Sequence, residues 1–300
     1  MRAIEPTGSG QLHLDGYDVG YETFGDPDRP AVLLLPPWQI VHSRIWKMQI
    51  PFLASHYHVM TFDMPGNGNG ERTTEDAAYG YERVSRQAVG ILNHLDIERA
   101  TMIGFSRSCA YCIWLAAAMP ERVERVVLLA NGVTPESWGS PPGDAFYERQ
   151  DTYDGWGKEN AHYWREHYRE WLDFFFSQVF TEPHSTKGIE DSIGWGLETN
   201  AEILTASISR PEHWPSMPAS EAIAAIPCPV LLVHGDDDRC HPVEASLALA
   251  AARPDWELVV LEGCSHGLLV RDPVKVNALI GEFLTRTAAG QPKEALHARP

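Results

Sequence analysis

A serine at a tight strand-to-helix turn is the residue of this sequence best suited to chemistry. Residues 104–108 read Gly-Phe-Ser-Arg-Ser and lie between a short apolar run and a run of small and apolar residues that Pro120 ends. A hydroxyl becomes an effective nucleophile when it stands clear of its neighbours, within reach of a base and beside the free N–H groups that open a helix. The pattern predicts that Ser106 lies at the apex of a nucleophile elbow, usually written G-x-S-x-G.

The match to that pattern is incomplete, because Ser108 stands where the second glycine is usual. On these five residues alone an ordinary βα turn is the more common explanation of the pattern. Partners for the serine must come from elsewhere, and two later segments offer them. Residues 234–238 read His-Gly-Asp-Asp-Asp after one apolar run, and His266 follows Gly-Cys-Ser after the last one. An imidazole can act as the base and a carboxylate can orient it, but spacing alone leaves open which of the three aspartates does so.

The elements that must position these groups follow from hydrophobic patterning. Residues 11–24 alternate apolar and polar side chains around Asp15-Gly16, which predicts a β-hairpin. Continuous apolar runs of the kind found in strands covered on both faces occupy residues 31–35, 58–62, 101–103, 123–130, 229–233 and 256–261. Helical patterns lie between them at residues 81–95, 109–119, 242–252 and 274–285. We therefore predict an α/β fold with a mostly parallel, doubly wound sheet.

One long connection interrupts this alternation. Residues 131–218 are polar and rich in aromatic side chains, and a connection of that length is uncommon unless it has a function. Within it, residues 163–179 place aromatic side chains three and four residues apart, which predicts a helix with one aromatic face. We predict a core formed by residues 1–134 and 219–300, and a helical cap formed by residues 135–218.

Composition excludes several classes of partner. The formal net charge is −17, so nucleic acid is an unexpected partner. No apolar run reaches the roughly 20 residues needed to span a bilayer, so no membrane association is expected. The first residues lack the apolar segment of a secretory signal, and we expect a cytoplasmic protein. Of five cysteines, Cys109 and Cys112 form C-x-x-C on a helix, where we expect buried packing residues and no redox pair.

In chain order and local motifs the sequence resembles the α/β-hydrolase superfamily over about residues 11–134 and 219–287. Residues 63–68 resemble its D-x-x-G-x-G loop, whose glycines are structural, so no nucleotide is expected there. His-Gly-Asp-Asp-Asp resembles its H-G-x-x-D motif, which implies Asp238 as the acid, while spacing keeps Asp236 and Asp237 open. Gly-Cys-Ser-His resembles its G-x-x-H motif, which implies His266 as the base. Ser106 would then be the nucleophile.

The resemblance also implies an oxyanion hole. The family usually has His-Gly after its first buried strand, whereas residues 36–38 of this chain are Pro-Pro-Trp. Proline lacks an N–H, so the donor position falls on the backbone of Trp38, and the second donor would be the N–H of Arg107. This departure leaves the outer geometry of the hole open.

These features predict a serine carboxylesterase that acts on a small or medium hydrophobic ester through an acyl-enzyme, with no metal or organic cofactor. A C–C bond hydrolase, a thioesterase, a lactonase or an acyltransferase would use the same triad, because fold and triad do not determine the substrate. A non-catalytic ligand-binding protein on the same fold is the alternative of another class. The oligomeric state stays open, with a homodimer among the alternatives.

Five residues are predicted to contact the substrate. They are Trp38, Phe105, Arg107, Trp164 and Trp171. The aromatic cap residues would serve either an apolar substrate or the packing of the cap itself. The Arg107 side chain would pair with a substrate carboxylate, form a structural ion pair or lie in solvent.

Overall fold

A twisted eight-stranded sheet forms the centre of the part of the protein that the computed structural model describes, residues 4–288. The strands run in the spatial order β1-β2-β4-β3-β5-β6-β7-β8. Their bounds are β1 Gly8–Leu14, β2 Tyr17–Phe24, β3 Ala31–Leu34, β4 His58–Asp63, β5 Ala100–Phe105, β6 Val123–Leu129, β7 Val230–Gly235 and β8 Glu257–Leu261.

Pairing in the sheet changes from antiparallel to parallel after β2. Strands β1 and β2 form the predicted hairpin, and Asp15 and Gly16 at its turn both have positive φ angles, 53° and 94°. Such angles are required by the tight turns whose twist matches that of the flanking strands. Strand β2 pairs antiparallel with β4, and every pairing from β4 to β8 is parallel. The prediction of a mostly parallel α/β sheet is confirmed.

Helices cover both faces of this sheet. Adjacent residues of β3 point to opposite faces, so Val32 and Leu34 join one hydrophobic core and Leu33 joins the other. Both cores consist of buried hydrophobic side chains, which explains why the strands read as continuous apolar runs. The helices are α1 Ile50–Ala54, α2 Tyr81–His94, α3 Ser108–Ala118, α4 Ala161–Val179, α5 Thr186–Gly196, α6 Ala201–Ser207, α7 Ala219–Ala225, α8 Glu244–Ala252, α9 Leu268–Arg271 and α10 Pro273–Arg286.

The long connection between β6 and β7 is helical. It contains α4, α5 and α6, with short 3₁₀ turns at Asp144–Tyr147, Gly155–Lys158 and Pro211–His213. The predicted helix over residues 163–179 is present within α4, whose start is capped by the Asn160 side chain. A break that the pattern did not predict lies at His167, where φ is −137° and ψ is 43°. The division of the chain into a core and a cap at residues 135–218 remains a prediction.

No helix within residues 4–288 is both long and apolar enough to cross a membrane. The C-x-x-C cysteines behave as expected. Cys109 and Cys112 are fully buried and unpaired on α3, and burial raises the pKa of both thiols. The glycine-rich loop after β4 is held by Asp63, whose carboxylate accepts hydrogen bonds from the backbone N–H groups of Ser43 and Asn69, both at 2.9 Å.

Candidate active site

Ser106 lies at the sharp bend between β5 and α3. Its φ angle is 56°, a left-handed conformation that is uncommon for a residue with a side chain and marks local strain. The bend requires a close approach of strand and helix. A Cβ atom added at Gly104 would lie 2.7 Å from the carbonyl oxygen of Ser108 and 2.8 Å from the Sγ of Cys112. Glycine at position 104 therefore makes the bend sterically possible.

Ser108, the departure from the usual elbow pattern, ties the bend together. Its hydroxyl accepts a hydrogen bond from the Phe105 N–H at 2.8 Å and lies 2.9 Å from the Phe105 carbonyl and 3.1 Å from the Leu35 carbonyl, to either of which it can donate. All of these groups are buried, so each bond offsets a desolvation cost. The serine thus fits at a position where glycine is usual and links the elbow to the loop after β3.

Asp238 and His266 lie together at the carboxyl ends of β7 and β8. The Asp238 Oδ2 atom is 2.7 Å from His266 Nδ1, and both side chains are buried. The same oxygen is 3.1 Å from the Nε2 of His234, while Oδ1 accepts from the backbone N–H groups of Cys240 and His241, both at 2.8 Å. Burial by itself would raise the pKa of the Asp238 carboxyl, but the His266 ring and these hydrogen bonds outweigh it and lower the pKa. Asp238 is therefore ionised at any ordinary pH.

The other two aspartates of this loop point elsewhere. Asp236 accepts a hydrogen bond from the Gly263 N–H at 2.6 Å, and Asp237 accepts one from the Thr181 hydroxyl at 2.5 Å. Neither carboxylate contacts His266. Among the three, the geometry joins only Asp238 to the imidazole.

A second histidine, which sequence reasoning missed, packs against His266. The His241 ring meets the His266 ring edge to face with the ring centres 5.1 Å apart, and its Nδ1 is 3.2 Å from the Ala130 carbonyl. Burial, and then the neighbouring His266, lowers the pKa of His241 to about 4. The ring is therefore neutral near pH 7 and adds no positive charge beside the candidate base. Its place three residues after the Asp-Asp-Asp run gives no pattern that would single it out.

The loop that carries His266 is held by the end of α4 and the residues that follow it. The Glu182 carboxylate accepts from both the N–H and the hydroxyl of Ser265, each at 2.7 Å. On the other side the Gly267 N–H donates to the Val179 carbonyl at 2.9 Å. These bonds restrict the imidazole from both sides.

Within residues 4–288, the two backbone N–H groups predicted to form an oxyanion hole have no hydrogen-bond acceptor of their own. In the described part of the chain, the N–H groups of Trp38 and Arg107 donate to no other group, while the Ser106 N–H donates to the Leu129 carbonyl at 2.9 Å. The Trp38 indole donates to the Ser207 hydroxyl at 2.9 Å and lies under the Arg107 guanidinium, 5.4 Å from the ring centre. The Pro-Pro-Trp loop is thus fixed from the side opposite the sheet.

Ser106 and His266 line two cavities that meet at the nucleophile. The larger, about 330 Å³, is also lined by the side chains of Arg107, Glu159 and His241. The smaller, about 40 Å³, is almost entirely apolar and is lined by residues such as Phe105 and Phe176. The arrangement suits a reacting group held at Ser106 with one apolar side and one larger, more polar side.

The predicted substrate contacts divide into two groups. Trp38 lines both cavities, Phe105 lines the small one and Arg107 lines the large one. Trp164 and Trp171 are completely buried and line neither cavity, which differs from the prediction. They form a second layer behind the wall, because Trp164 packs on Trp38 and Trp171 packs on Phe175.

The cavity walls from the predicted cap come from other aromatic residues. Trp156 lines the large cavity and Phe175 lines both. The spacing of aromatic side chains along α4 could have indicated Phe175. The break at His167 means that one continuous helical pattern does not describe both halves of α4. Glu159 and Cys240 also line the large cavity and carry no sequence signal of their own.

One trio of side chains could offer ligand atoms to a metal ion. Atoms of Asp238, Cys240 and His266 lie within 4.8 Å of one another. Burial and the neighbouring Asp238 charge raise the pKa of the Cys240 thiol, which disfavours the thiolate that a metal requires. The hydrogen bond between Asp238 Oδ2 and His266 Nδ1 also engages one possible ligand atom of each residue. The trio fits a metal poorly, and we assign it none.

Comparison with known proteins shows which proteins this chain resembles. The chain is 29% identical over 253 residues to the 2-hydroxymuconate semialdehyde hydrolase of Pseudomonas sp. (strain CF600), an alignment that covers 81% of this chain and 82% of that protein. It is 28% identical over 243 residues to a 2-hydroxy-6-oxononadienedioate/2-hydroxy-6-oxononatrienedioate hydrolase of Pseudomonas sp., covering 78% of this chain and 80% of that protein.

Among solved structures, the fold resembles the enol-lactonase from Burkholderia xenovorans LB400. The TM-score is 0.74 at 19% identity, and the alignment covers 92% of this chain and all of that chain (100%). A family model described as the alpha/beta hydrolase fold matches residues 30–273, from the start of the first parallel strand to the beginning of the last helix. With most of its length matched in this way, the chain belongs to the alpha/beta hydrolase fold family.

Proposed function

We propose that this protein is a serine hydrolase that cleaves a carboxylic ester of small or medium size through an acyl-enzyme. One observation carries the proposal. Ser106, strained at the elbow, lines the same cavity as His266, whose Nδ1 is 2.7 Å from the ionised Asp238. A hydroxyl, an imidazole and a carboxylate in this relation are the parts that nucleophilic acyl transfer needs.

In the proposed reaction, Ser106 attacks the carbonyl carbon while His266 takes the serine proton on Nε2. Asp238 keeps the other ring nitrogen protonated and stabilises the imidazolium that forms. The backbone N–H groups of Trp38 and Arg107 would donate to the oxyanion, and a donor of this kind contributes roughly 3 kcal/mol to the transition state. His266 then returns the proton to the leaving alcohol, and water activated by the same imidazole releases the acyl group.

The two cavities support a substrate with unequal halves. The small apolar cavity is suited to a short hydrocarbon group, because filling it removes apolar surface from water without offering hydrogen bonds. The larger cavity has room for the other half and places charged side chains around it. We therefore favour esters in which one part is short and apolar.

Hydrolysis of a carbon–carbon bond is the second candidate. Two relatives at 28–29% identity are named as hydrolases of 2-hydroxymuconate semialdehyde and of dienedioate or trienedioate compounds, names that contain no ester. The same three residues would serve that reaction, with the leaving group protonated on carbon. A fold-level likeness to an enol-lactonase, whose named substrate is a cyclic ester, leaves the first candidate in place.

Labelling with a fluorophosphonate probe tests the proposal against a non-catalytic binding role. One mole of probe should react per mole of protein at Ser106, and Ser106→Ala should abolish the reaction. His266→Ala should slow labelling by several orders of magnitude, because the serine proton then has no acceptor. Absence of labelling in the folded wild-type protein would refute the hydrolase proposal.

A substrate panel separates the two candidate reactions. Wild-type protein would be offered p-nitrophenyl esters of increasing acyl length beside a vinylogous diketone cleaved at carbon. We expect kcat/KM to be highest for short acyl chains and at least tenfold lower for the diketone. The opposite ranking would favour the carbon–carbon hydrolase.

A further inference from the structure

The Arg107 guanidinium occupies the large cavity without an acidic partner at ion-pair distance in the described residues. It donates a hydrogen bond to the Ser207 carbonyl, packs on the Trp38 indole and interacts with the Tyr111 hydroxyl. A guanidinium has five N–H donors, so donors remain for a ligand in the cavity. It is partly buried, and it lines the cavity next to the nucleophile.

An acid faces the same cavity from the segment between β6 and β7. Glu159 lies between the 3₁₀ turn Gly155–Lys158 and the start of α4, and it is partly buried. Over residues 4–288 no group hydrogen-bonds to its carboxylate. Burial raises the pKa of Glu159, and the positive charge of Arg107 partly opposes that rise. The two charges therefore interact electrostatically, although they form no ion pair or hydrogen bond with each other.

Two other polar residues of this wall, Ser209 and His241, already have hydrogen-bond partners. The Ser209 hydroxyl is 2.8 Å from the Tyr81 hydroxyl and accepts from the Trp214 indole at 3.0 Å. His241 is turned toward the Ala130 carbonyl. Arg107 and Glu159 thus line this cavity with a hydrogen-bond donor and an acceptor of opposite charge.

The chemistry of the occupant follows from this pairing. A group that accepts from the guanidinium and donates to the carboxylate satisfies both residues. A carboxylate would satisfy Arg107 but be repelled by Glu159, and an ammonium would meet the reverse problem. A hydrocarbon would leave two charges desolvated without partners, which is costly. An uncharged hydroxyl, able to donate and accept at once, fits best.

We propose that Arg107 and Glu159 form a subsite that selects substrates carrying a hydroxyl group on the half that enters the large cavity. This inference rests on the proposed function, since it assigns the polar end of the same substrate. A hydroxyl subsite also differs from a subsite that binds a free carboxylate in the large cavity.

Three butanoate esters with alcohol parts of similar length test the proposal: pentyl, 4-hydroxybutyl and 3-carboxypropyl butanoate. Released acid is followed by titration at constant pH. Wild-type protein should cleave the hydroxybutyl ester with a kcat/KM about tenfold or more above that of the other two, the size expected of a hydrogen bond to a charged group. A preference for the pentyl or carboxypropyl ester would overturn the proposal.

Glu159→Gln provides a change that damage to the fold cannot imitate. The amide keeps an acceptor for a hydroxyl but removes the negative charge, so turnover of the carboxypropyl ester should rise about tenfold relative to the hydroxybutyl ester. Glu202→Gln is the matched control. It removes the same charge from an exposed side chain of α6 that does not line the cavity. It should leave the ratios unchanged.

The subsite proposal and the serine hydrolase proposal can be refuted separately. Cleavage of the esters with ratios that Glu159→Gln does not alter would refute the subsite and leave the serine hydrolase standing. If none of the esters is cleaved and the fluorophosphonate does not label Ser106, the hydrolase proposal fails and the subsite fails with it.

Discussion

Replacing Asp238 by asparagine should reduce catalysis far more than the same change at its two neighbours. The Asp238 carboxylate faces four donors, two ring nitrogens on Oδ2 and two backbone N–H groups on Oδ1. An amide has only one acceptor oxygen. If the amide NH₂ points at His266, it stabilises the tautomer with the proton on Nε2, which cannot accept the proton of Ser106. If the amide NH₂ points at the backbone instead, its two N–H donors face the N–H donors of Cys240 and His241, and neither side has an acceptor.

The expected size follows from the tautomer argument. A triad carboxylate changed to its amide lowers kcat by about 10⁴ through the wrong tautomer, and we expect a loss of that order in kcat/KM for Asp238→Asn with p-nitrophenyl butanoate. Asp236→Asn and Asp237→Asn, whose partners are Gly263 and Thr181, should stay within about threefold of wild type because surface changes are usually small. Circular dichroism would verify that all three variants fold.

Two results would refute this reasoning. Retention of a tenth or more of the activity by Asp238→Asn would mean that His266 does not depend on that carboxylate. A larger loss in either neighbour than in Asp238→Asn would move the role to that neighbour.

Three further changes test the surroundings of the site. Ser108→Ala should lower the free energy of unfolding in urea by about 1–3 kcal/mol, because the buried Phe105 N–H loses its acceptor; an unchanged midpoint would contradict this. Gly104→Ala should cost about 1–3 kcal/mol in the same assay, since the new methyl group would press on the Ser108 carbonyl. His241 has a pKa of about 4 in the folded protein and about 6.5 when unfolded, so stability is full above pH 6.5 and is lost as the pH falls towards 4. Between pH 7 and pH 5 the loss is about 2 kcal/mol at most, and His241→Asn, which keeps a donor for the Ala130 carbonyl, should show a correspondingly smaller loss on thermal unfolding.

Local patterns predicted the fold well because the sheet is buried on both faces. The parallel strands are therefore mostly apolar, and the turn residues between them mark where each one ends. The hairpin turn at Asp15-Gly16 required positive φ angles, and residue types alone indicated it. The elbow was similarly local, since Gly104, Ser106 and the helix that follows are contiguous in the chain.

The parts of the candidate site that depend on long-range packing could not be predicted. Three adjacent aspartates are equivalent in spacing, and only the path of the chain after β7 turns Asp238 towards the imidazole. His241 comes from the loop that carries Asp238 and Glu159 from the segment between β6 and β7, and no recurring pattern marks either residue. The aromatic face predicted for α4 was present, but the break at His167 and the stacking of Trp164 on Trp38 put the two tryptophans behind the wall.

Ser108 illustrates how a departure from a pattern can be compensated. Spacing alone presented it as a defect in the elbow. In the structure its hydroxyl joins the strand end at Phe105 to the Leu35 carbonyl, which the Trp46 indole also contacts at 3.2 Å. Such a role depends on which groups the fold brings near the hydroxyl, and that information is absent from five contiguous letters.

Trp38 connects two segments of the chain, and this connection affects any movement of one segment relative to the other. Its backbone belongs to the loop after β3, and its indole is bonded to Ser207 and packed on Trp164, both in the segment that follows β6. Any outward swing of that segment must break these contacts or pull the loop along. If the Trp38 N–H serves the proposed oxyanion hole, such a swing would displace that donor while the cavity is open to water.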